Sequence, residues 1–198
     1  MKADPDVISM HQEFDALMAR AVEQSTREGR PPTCGKDCPG CCFEPVYVEV
    51  REIQNALGRM TPELRKRVKD RTYAWLAKVL PSGLLNEEKP SVFAWRALHA
   101  SCPFLEFGRC SIYADRPLGC RAHTAVGPKK ACHDEELRKT QTYLQCEELD
   151  TAMMMLACRR WSDLEFNNLG VVLAKILCGL DIECADAQQV KLRGTECD

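Results

Sequence analysis

Between Thr33 and Cys42 the chain reads Thr-Cys-Gly-Lys-Asp-Cys-Pro-Gly-Cys-Cys, with four cysteines inside nine residues. Gly35, Pro39 and Gly40 interrupt the run, and no apolar side chain appears until Phe43. Such a stretch packs neither as a helix face nor as a strand, because both need apolar residues at a fixed period. The loops between the thiols are very short, so little chain entropy opposes bringing them together. The expectation is that these sulfurs hold a metal, and that the rest of the chain supplies missing ligands and a lid.

The totals narrow the setting. At 198 residues and 45% apolar, the chain is long enough to form one domain with a real core. Disulfides are therefore not needed to replace a missing core. Thirteen residues are cysteine, against on the order of one or two per hundred in ordinary chains, and an odd count sits badly with a fully paired framework. A net charge of -2 argues against a nucleic-acid or anionic-membrane footprint. Residues 1–20 carry Asp4, Asp6, Glu13 and Asp15 without a continuous apolar run, unlike a secretory signal. The most apolar segment, Leu169 to Leu180, is too short to span a membrane and contains Lys175. The expected compartment is the cytoplasm, where clustered cysteines point to metal or catalysis rather than disulfides.

Periodicity makes the chain mainly α: a small helical domain with a short β-hairpin and cysteine-rich loops gathered around a metal centre. Asp4-Pro5 reads as a cap and first turn, and Val7, Met10, Phe14, Leu17 and Ala21 form one apolar stripe ended by Gly29. Val46 to Val48 reads as a brief extended piece, followed by a short helix from Val50 to Leu57 closed by Gly58. Thr61-Pro62 opens a longer helix with Leu64, Val68, Trp75, Leu76 and Val79 facing inward and Pro81 stopping it. Its other face, Arg65, Lys66, Arg67, Lys69 and Arg71, reads as a solvated helix face. Residues 81–90 read as a polar loop, and Ser91 as the cap of a short helix through Leu98.

Cys102 to Tyr113 reads as a small hairpin turning near Phe107–Arg109, and Arg116 to Arg121 as a turn. From Asp134 the pattern is helical, with Met153 to Met155 as core filler. Ser162 and Glu165 suggest a capping box for a last helix ended at Gly179. The segments are thus an N-terminal helix (1–32), a cysteine-cluster region (33–133), helices packing on it (134–180) and a flexible tail (181–198), within one domain.

Eight cysteines fall on loops, turns or the hairpin, where backbone can bend to aim sulfur at a common point: Cys34, Cys38, Cys41, Cys42, Cys102, Cys110, Cys120 and Cys132. Paired cysteines two or three residues apart on a Gly/Pro turn are a strong local signal for metal ligation. Cys146, Cys158 and Cys178 fall in helical patterns and read as small buried hydrophobes; Cys184 and Cys197 lie in the tail. All-sulfur ligation suits zinc or an iron–sulfur cluster and not calcium or magnesium. Cys41-Cys42 is awkward for one tetrahedral ion, since adjacent side chains diverge, which favours a polynuclear or two-centre arrangement. Arg109, Arg116 and Arg121 could donate to sulfur. His123 and His133 lie near candidate ligands, whereas His11 and His99 carry no such signal.

Cys34-x3-Cys38-x2-Cys41-Cys42, then Cys102-Pro103-Phe104-Leu105, Gly108-x-Cys110-Ser111-Ile112-Tyr113, Arg116-Pro117 and Cys120-Arg121, resembles the YkgJ-type cysteine-cluster family. That family is a zinc- or iron-chelating domain with eight characteristic cysteines, and its members are often labelled Fe–S oxidoreductases. The resemblance covers residues 33–133 and implies the eight positions above as ligands. Here the first gap is three residues rather than two. Flagellin lysine methylases are similar in their cysteine cluster, but the chain has no Gly-x-Gly, and hence no dinucleotide fingerprint.

The functions in competition are an iron–sulfur centre for redox or electron transfer, with an unidentified electron donor or acceptor as partner, and a zinc-chelating structural or metal-handling module. A third, a thiol–disulfide enzyme using Cys38-Pro39-Gly40-Cys41, lacks the strand before and helix after that the motif needs. Whether the chain catalyses a reaction is left open by its residues.

Overall fold

The computed structural model describes residues 3–35, 37–87, 91–126, 142–143, 165–185 and 189–194. Helix α1 (Pro5–Arg27) starts as expected: the Asp4 carboxylate accepts from Asp6 N–H, and Pro5 stands at the first turn. Its stripe of Val7, Met10, Phe14 and Met18 is buried, with Leu17 and Ala21 packed beside it. Gly29, at φ 76°, turns the chain away.

Strand β1 (Tyr47–Glu49) leads directly into α2 (Val50–Gly58), whose entry is a capping box: Glu49 accepts at the helix start while Glu52 reaches back to the Glu49 N–H. Thr61 caps α3 (Pro62–Val79), with Val68, Trp75, Leu76 and Val79 buried and Leu64 half-buried. Two short 3-10 turns, Leu80–Ser82 and Leu84–Asn86, occupy the start of the expected loop. Helix α4 (Val92–Ala97) follows Ser91, whose side chain makes no capping bond. The hairpin β2 (Leu105–Glu106) and β3 (Arg109–Cys110) turns at Phe107 and Gly108, both at positive φ.

Three expectations are corrected. Arg116 to Arg121 is not merely a turn, because Leu118–Ala122 winds into a short helix, α5. Strands β4 (Ala125–Val126) and β5 (Thr142–Tyr143) pair after it. The last helix, α6 (Leu169–Cys178), begins later than the suggested capping box. Residues Phe166–Asn168 form strand β6 against β1, and Asn168 caps the helix by accepting from Gly170 N–H. Backbone pairing with a distant strand outweighs the local capping signal; Ser162 lies outside the described residues. Gly179 ends α6 as expected, at φ 66°. The tail, expected to be loose, carries an antiparallel hairpin, β7 (Leu180–Ala185) with β8 (Gln189–Gly194). The helical pattern from Asp134 through Met155 lies outside the described residues.

The core has three parts. Helices α1 and α5 share the first, through Phe14, Leu118 and Ala122. The second joins β1, α2, α3, the hairpin and α6 around Val48, Ile53, Val68, Phe104 and Leu173. The third holds Trp75, Leu76, Trp95, Val171 and Ala174. The fold is mainly α, with short antiparallel strand pairs that fix loops rather than build a sheet. Among the described residues, no helix is long and apolar enough to cross a membrane.

Candidate metal centre

Backbone ties bring the two cysteine segments together. Cys102 N–H donates to Cys42 O at 2.6 Å, which joins the end of the first loop to the start of the hairpin. Thr33 N–H donates to Ala125 O at 3.0 Å beside a Pro32–Val126 bridge, which pins the loop's beginning to β4. Arg96 of α4 braces the middle, donating to Gly40 O at 3.1 Å and to Glu44 Oε1 at 2.7 Å. Between these anchors Gly40–Phe43 winds as a single 3-10 turn.

The result is a cavity of about 50 Å³ lined by Cys38, Cys41, Cys42, Cys102, Cys110 and Cys120. Four different local structures deliver those sulfurs: loop, 3-10 turn, hairpin and the short helix α5. Gly119 decides the last of these. A Cβ there would stand 2.7 Å from Tyr47 O, so only glycine lets α5 lie against β1 with Cys120 at the cavity. Apolar side chains of Val46, Trp75, Trp95, Phe104, Ile112 and Leu169 line it as well.

Cys34 does not line the cavity; its Sγ accepts from Ala125 N–H at 3.0 Å. Cys132 and His133 lie outside the described residues. Cys178 is buried on α6, as a helical cysteine should be. The donor set suits a soft or borderline metal, since thiolates select zinc and iron–sulfur clusters. Among the described residues, no three Cys, His, Asp or Glu side chains converge closely enough to hold an ion as they stand. The sulfurs surround the cavity, and coordination would draw them inward.

The CxxCxxCC family model, described as a "Putative zinc- or iron-chelating domain", matches residues 33–158. The chain belongs to this family. No curated protein and no solved structure matches it.

The electrostatics of the chelating domain turn on crowded, buried thiols. A hydrogen bond from Cys42 brings the Cys41 thiol down to about 7, helped by the Arg116 charge and opposed by burial and Glu44. Cys42 moves up, because it is the donor in that bond and is buried near Cys102 and Cys110. The adjacent pair thus holds one proton between two sulfurs. Burial pushes Cys102 up to about 12, with Cys110 and Cys41 adding repulsion. Burial also raises Cys110, and raises Cys120 well above its ordinary value. These five sulfurs share one electrostatic neighbourhood, in which a second thiolate is strongly opposed. A cation would reverse that sign, replacing repulsion by attraction at every sulfur and releasing protons.

Of the three arginines singled out, Arg116 lines the cavity, with its guanidinium carbon 3.8 Å from the Tyr113 ring centroid. Arg109 instead pairs with Asp37 at 2.8 Å on the surface. Arg121 is buried and bonds Asp15 and the carbonyls of Arg116 and Ala114. His123 does not line the cavity and stands 3.7 Å from Glu44. His11, which carried no signal in the sequence, bonds Glu52 at 2.8 Å in the interior.

Glu44, Trp75, Trp95 and Asn168 line the cavity and were not foreseen. The tryptophans sit at core-facing helix positions, so their spacing looks the same whether or not a cavity adjoins them. The Cys38–Cys41 pair starts in a loop and runs into a four-residue 3-10 turn, Gly40–Phe43, that contains Cys41. That context offers neither the strand nor the α-helix of a thiol–disulfide enzyme.

Proposed function

We propose that the chain is a metal-binding protein whose cysteine cluster holds an iron–sulfur centre used for redox or electron transfer. The ligands would be drawn from Cys34, Cys38, Cys41, Cys42, Cys102, Cys110, Cys120 and Cys132. The observation that carries this reading is the single cavity with six thiols on it, two of them from adjacent residues. One zinc ion needs four thiolates in a closed tetrahedron. Six around one space, including both Cys41 and Cys42, are better matched to a polynuclear centre or to two metals. The apolar part of the lining supports the same reading, because a dry surrounding tunes potential and limits access of water to the centre. When bound, such a centre would supply one-electron chemistry. The chain's own residues would hold it, neutralise part of its charge through Arg116, and shield it with Trp75, Trp95 and Phe104.

Anaerobic purification tests this directly. The expected product is coloured and contains iron and acid-labile sulfide, and substituting Cys41, Cys102 or Cys120 by Ser lowers both contents. A colourless protein with stoichiometric zinc and no sulfide, even after reconstitution, would replace this reading with that of a zinc-chelating structural or metal-handling module.

A further inference from the structure

Trp95 lies on α4 in the third part of the core, 2% exposed, and lines the same cavity as the six cysteines. Its ring stacks on Trp75, with centroids 6.0 Å apart and planes 19° from parallel. Its indole nitrogen is fully buried and has no hydrogen-bond partner among the described residues. Indole N–H only donates, so nothing but an acceptor can satisfy it. Buried donors are almost always paired, and an orphan costs free energy in the fold that carries it. The core gives no steric reason for tryptophan's nitrogen here, since an apolar ring would stack on Trp75 equally well. No cysteine sulfur among the described residues accepts this bond.

Trp95 and six cysteines line one cavity, which makes their sulfurs the candidate acceptors. Thiolates drawn around a cation carry negative charge on sulfur, and sulfur so charged accepts hydrogen bonds from N–H donors. We propose that Trp95 is a positioning residue for the metal centre, its indole N–H donating to a sulfur of the assembled site. This inference rests on the chelating role of the cysteines and adds to it a residue that is not a ligand. A cation that draws the sulfurs inward would bring an acceptor to Trp95. The tryptophan would then favour the loaded state over the empty one, because its donor is unsatisfied in one and satisfied in the other.

The test compares Trp95→Phe with Trp75→Phe in the full-length chain. Both remove the same part of an indole from the same wall, but only Trp95 carries the orphan donor. Metal retention is read as the rate of loss of the bound metal to excess chelator, and thermal unfolding is followed in metal-loaded and metal-free protein. Where the centre is coloured, its visible absorption and reduction potential are read as well. Trp95→Phe is expected to lose metal about ten- to a hundredfold faster than wild type, the range that a hydrogen bond to a charged acceptor implies. Its metal-free unfolding temperature should fall no further than that of Trp75→Phe, and its absorption should shift where that of Trp75→Phe does not. Equal acceleration in the two variants would make Trp95 a packing residue and overturn the proposal, as would unchanged retention in Trp95→Phe. Wild-type protein that retains no metal at all would instead overturn the chelating reading on which the proposal rests.

Discussion

Phe107 shows what a single residue can reveal about a loop. It is 97% exposed and adopts φ 49° at the tip of the β2–β3 hairpin, followed by Gly108 at φ 75°. Two successive positive φ values suit Asn-Gly, and a bulky side chain is strained there. Phe107→Asn should therefore stabilise the protein by about 0.5–1 kcal/mol, seen as a higher denaturant midpoint with unchanged m-value. A loss of stability would mean that the ring has a packing role. Cys41 makes the second residue-scale case. Its thiol is held at about 7 while Cys102 is pushed up to about 12. A depressed value means that thiolate is present above pH 7 and lost below it. Brief alkylation of metal-free protein should label Cys41 before Cys102 or Cys120, with a rate that falls from pH 8 to pH 6. Peptide mapping that finds Cys102 labelled first would contradict this.

Among the elements, α5 is the one whose placement the site depends on most. It is only five residues long, Leu118–Ala122, and makes no side-chain cap of its own. Its position is set from outside. Leu118 N–H donates to Glu52 Oε1 at 2.8 Å, and the same oxygen bonds His11 Nε2 at 2.8 Å. Arg121 reaches Asp15 of α1, and Gly119 lies against the Tyr47 carbonyl. Helices α1 and α2 thus hold the cysteine-bearing helix by buried polar contacts as well as by packing. Gly119→Ala forces α5 away from β1, since backbone cannot yield as a flexible side chain would. Its metal content after dialysis should fall well below that of Gly35→Ala, the matched change in the first cysteine loop. A Cβ at Gly35 meets nothing within 4 Å. Equal metal content in the two variants would show that α5 tolerates the shift.

For the whole molecule, the family match and the folding unit have different boundaries. The match spans residues 33–158, yet α1 (Pro5–Arg27) and α6 (Leu169–Cys178) both lie outside it; α6 builds the core beside the cavity, and α1 packs on α5, which carries Cys120. Leu173 and Val172 of α6 are buried beside Phe104 and Ile112, and Phe14 of α1 packs with Leu118. A fragment of residues 33–158 should consequently fail to give a cooperative thermal transition and should retain far less metal than the full chain. Wild-type-like unfolding of that fragment would show that the two helices are dispensable.

How much of this was readable in advance follows the range of the forces involved. The caps at Asp4 and Thr61, the stripe of α1, the hairpin and the glycine stop after α6 depend on residues a few positions apart, and a linear pattern displays them. Six of the eight cysteines singled out from the sequence line one cavity, and they stood out because cysteine on a Gly/Pro loop has few other uses. The helix α5, the β1–β6 pairing and the tail hairpin were not legible, because their partners are distant in sequence or their local signals weak. Trp75 carried only the pattern of a core residue, and beside the cavity Gly170 lets α6 come down on its ring. The sequence by itself determined that the chain is mainly helical and that its clustered sulfurs suit a soft metal, since both follow from spacing and side-chain chemistry. Only the tertiary structure decided which sulfurs share a cavity, which arginine reaches it and which tryptophan is left without a partner. Those are matters of distance between segments up to about a hundred residues apart, such as Thr33 and Ala125, and close packing sets them together.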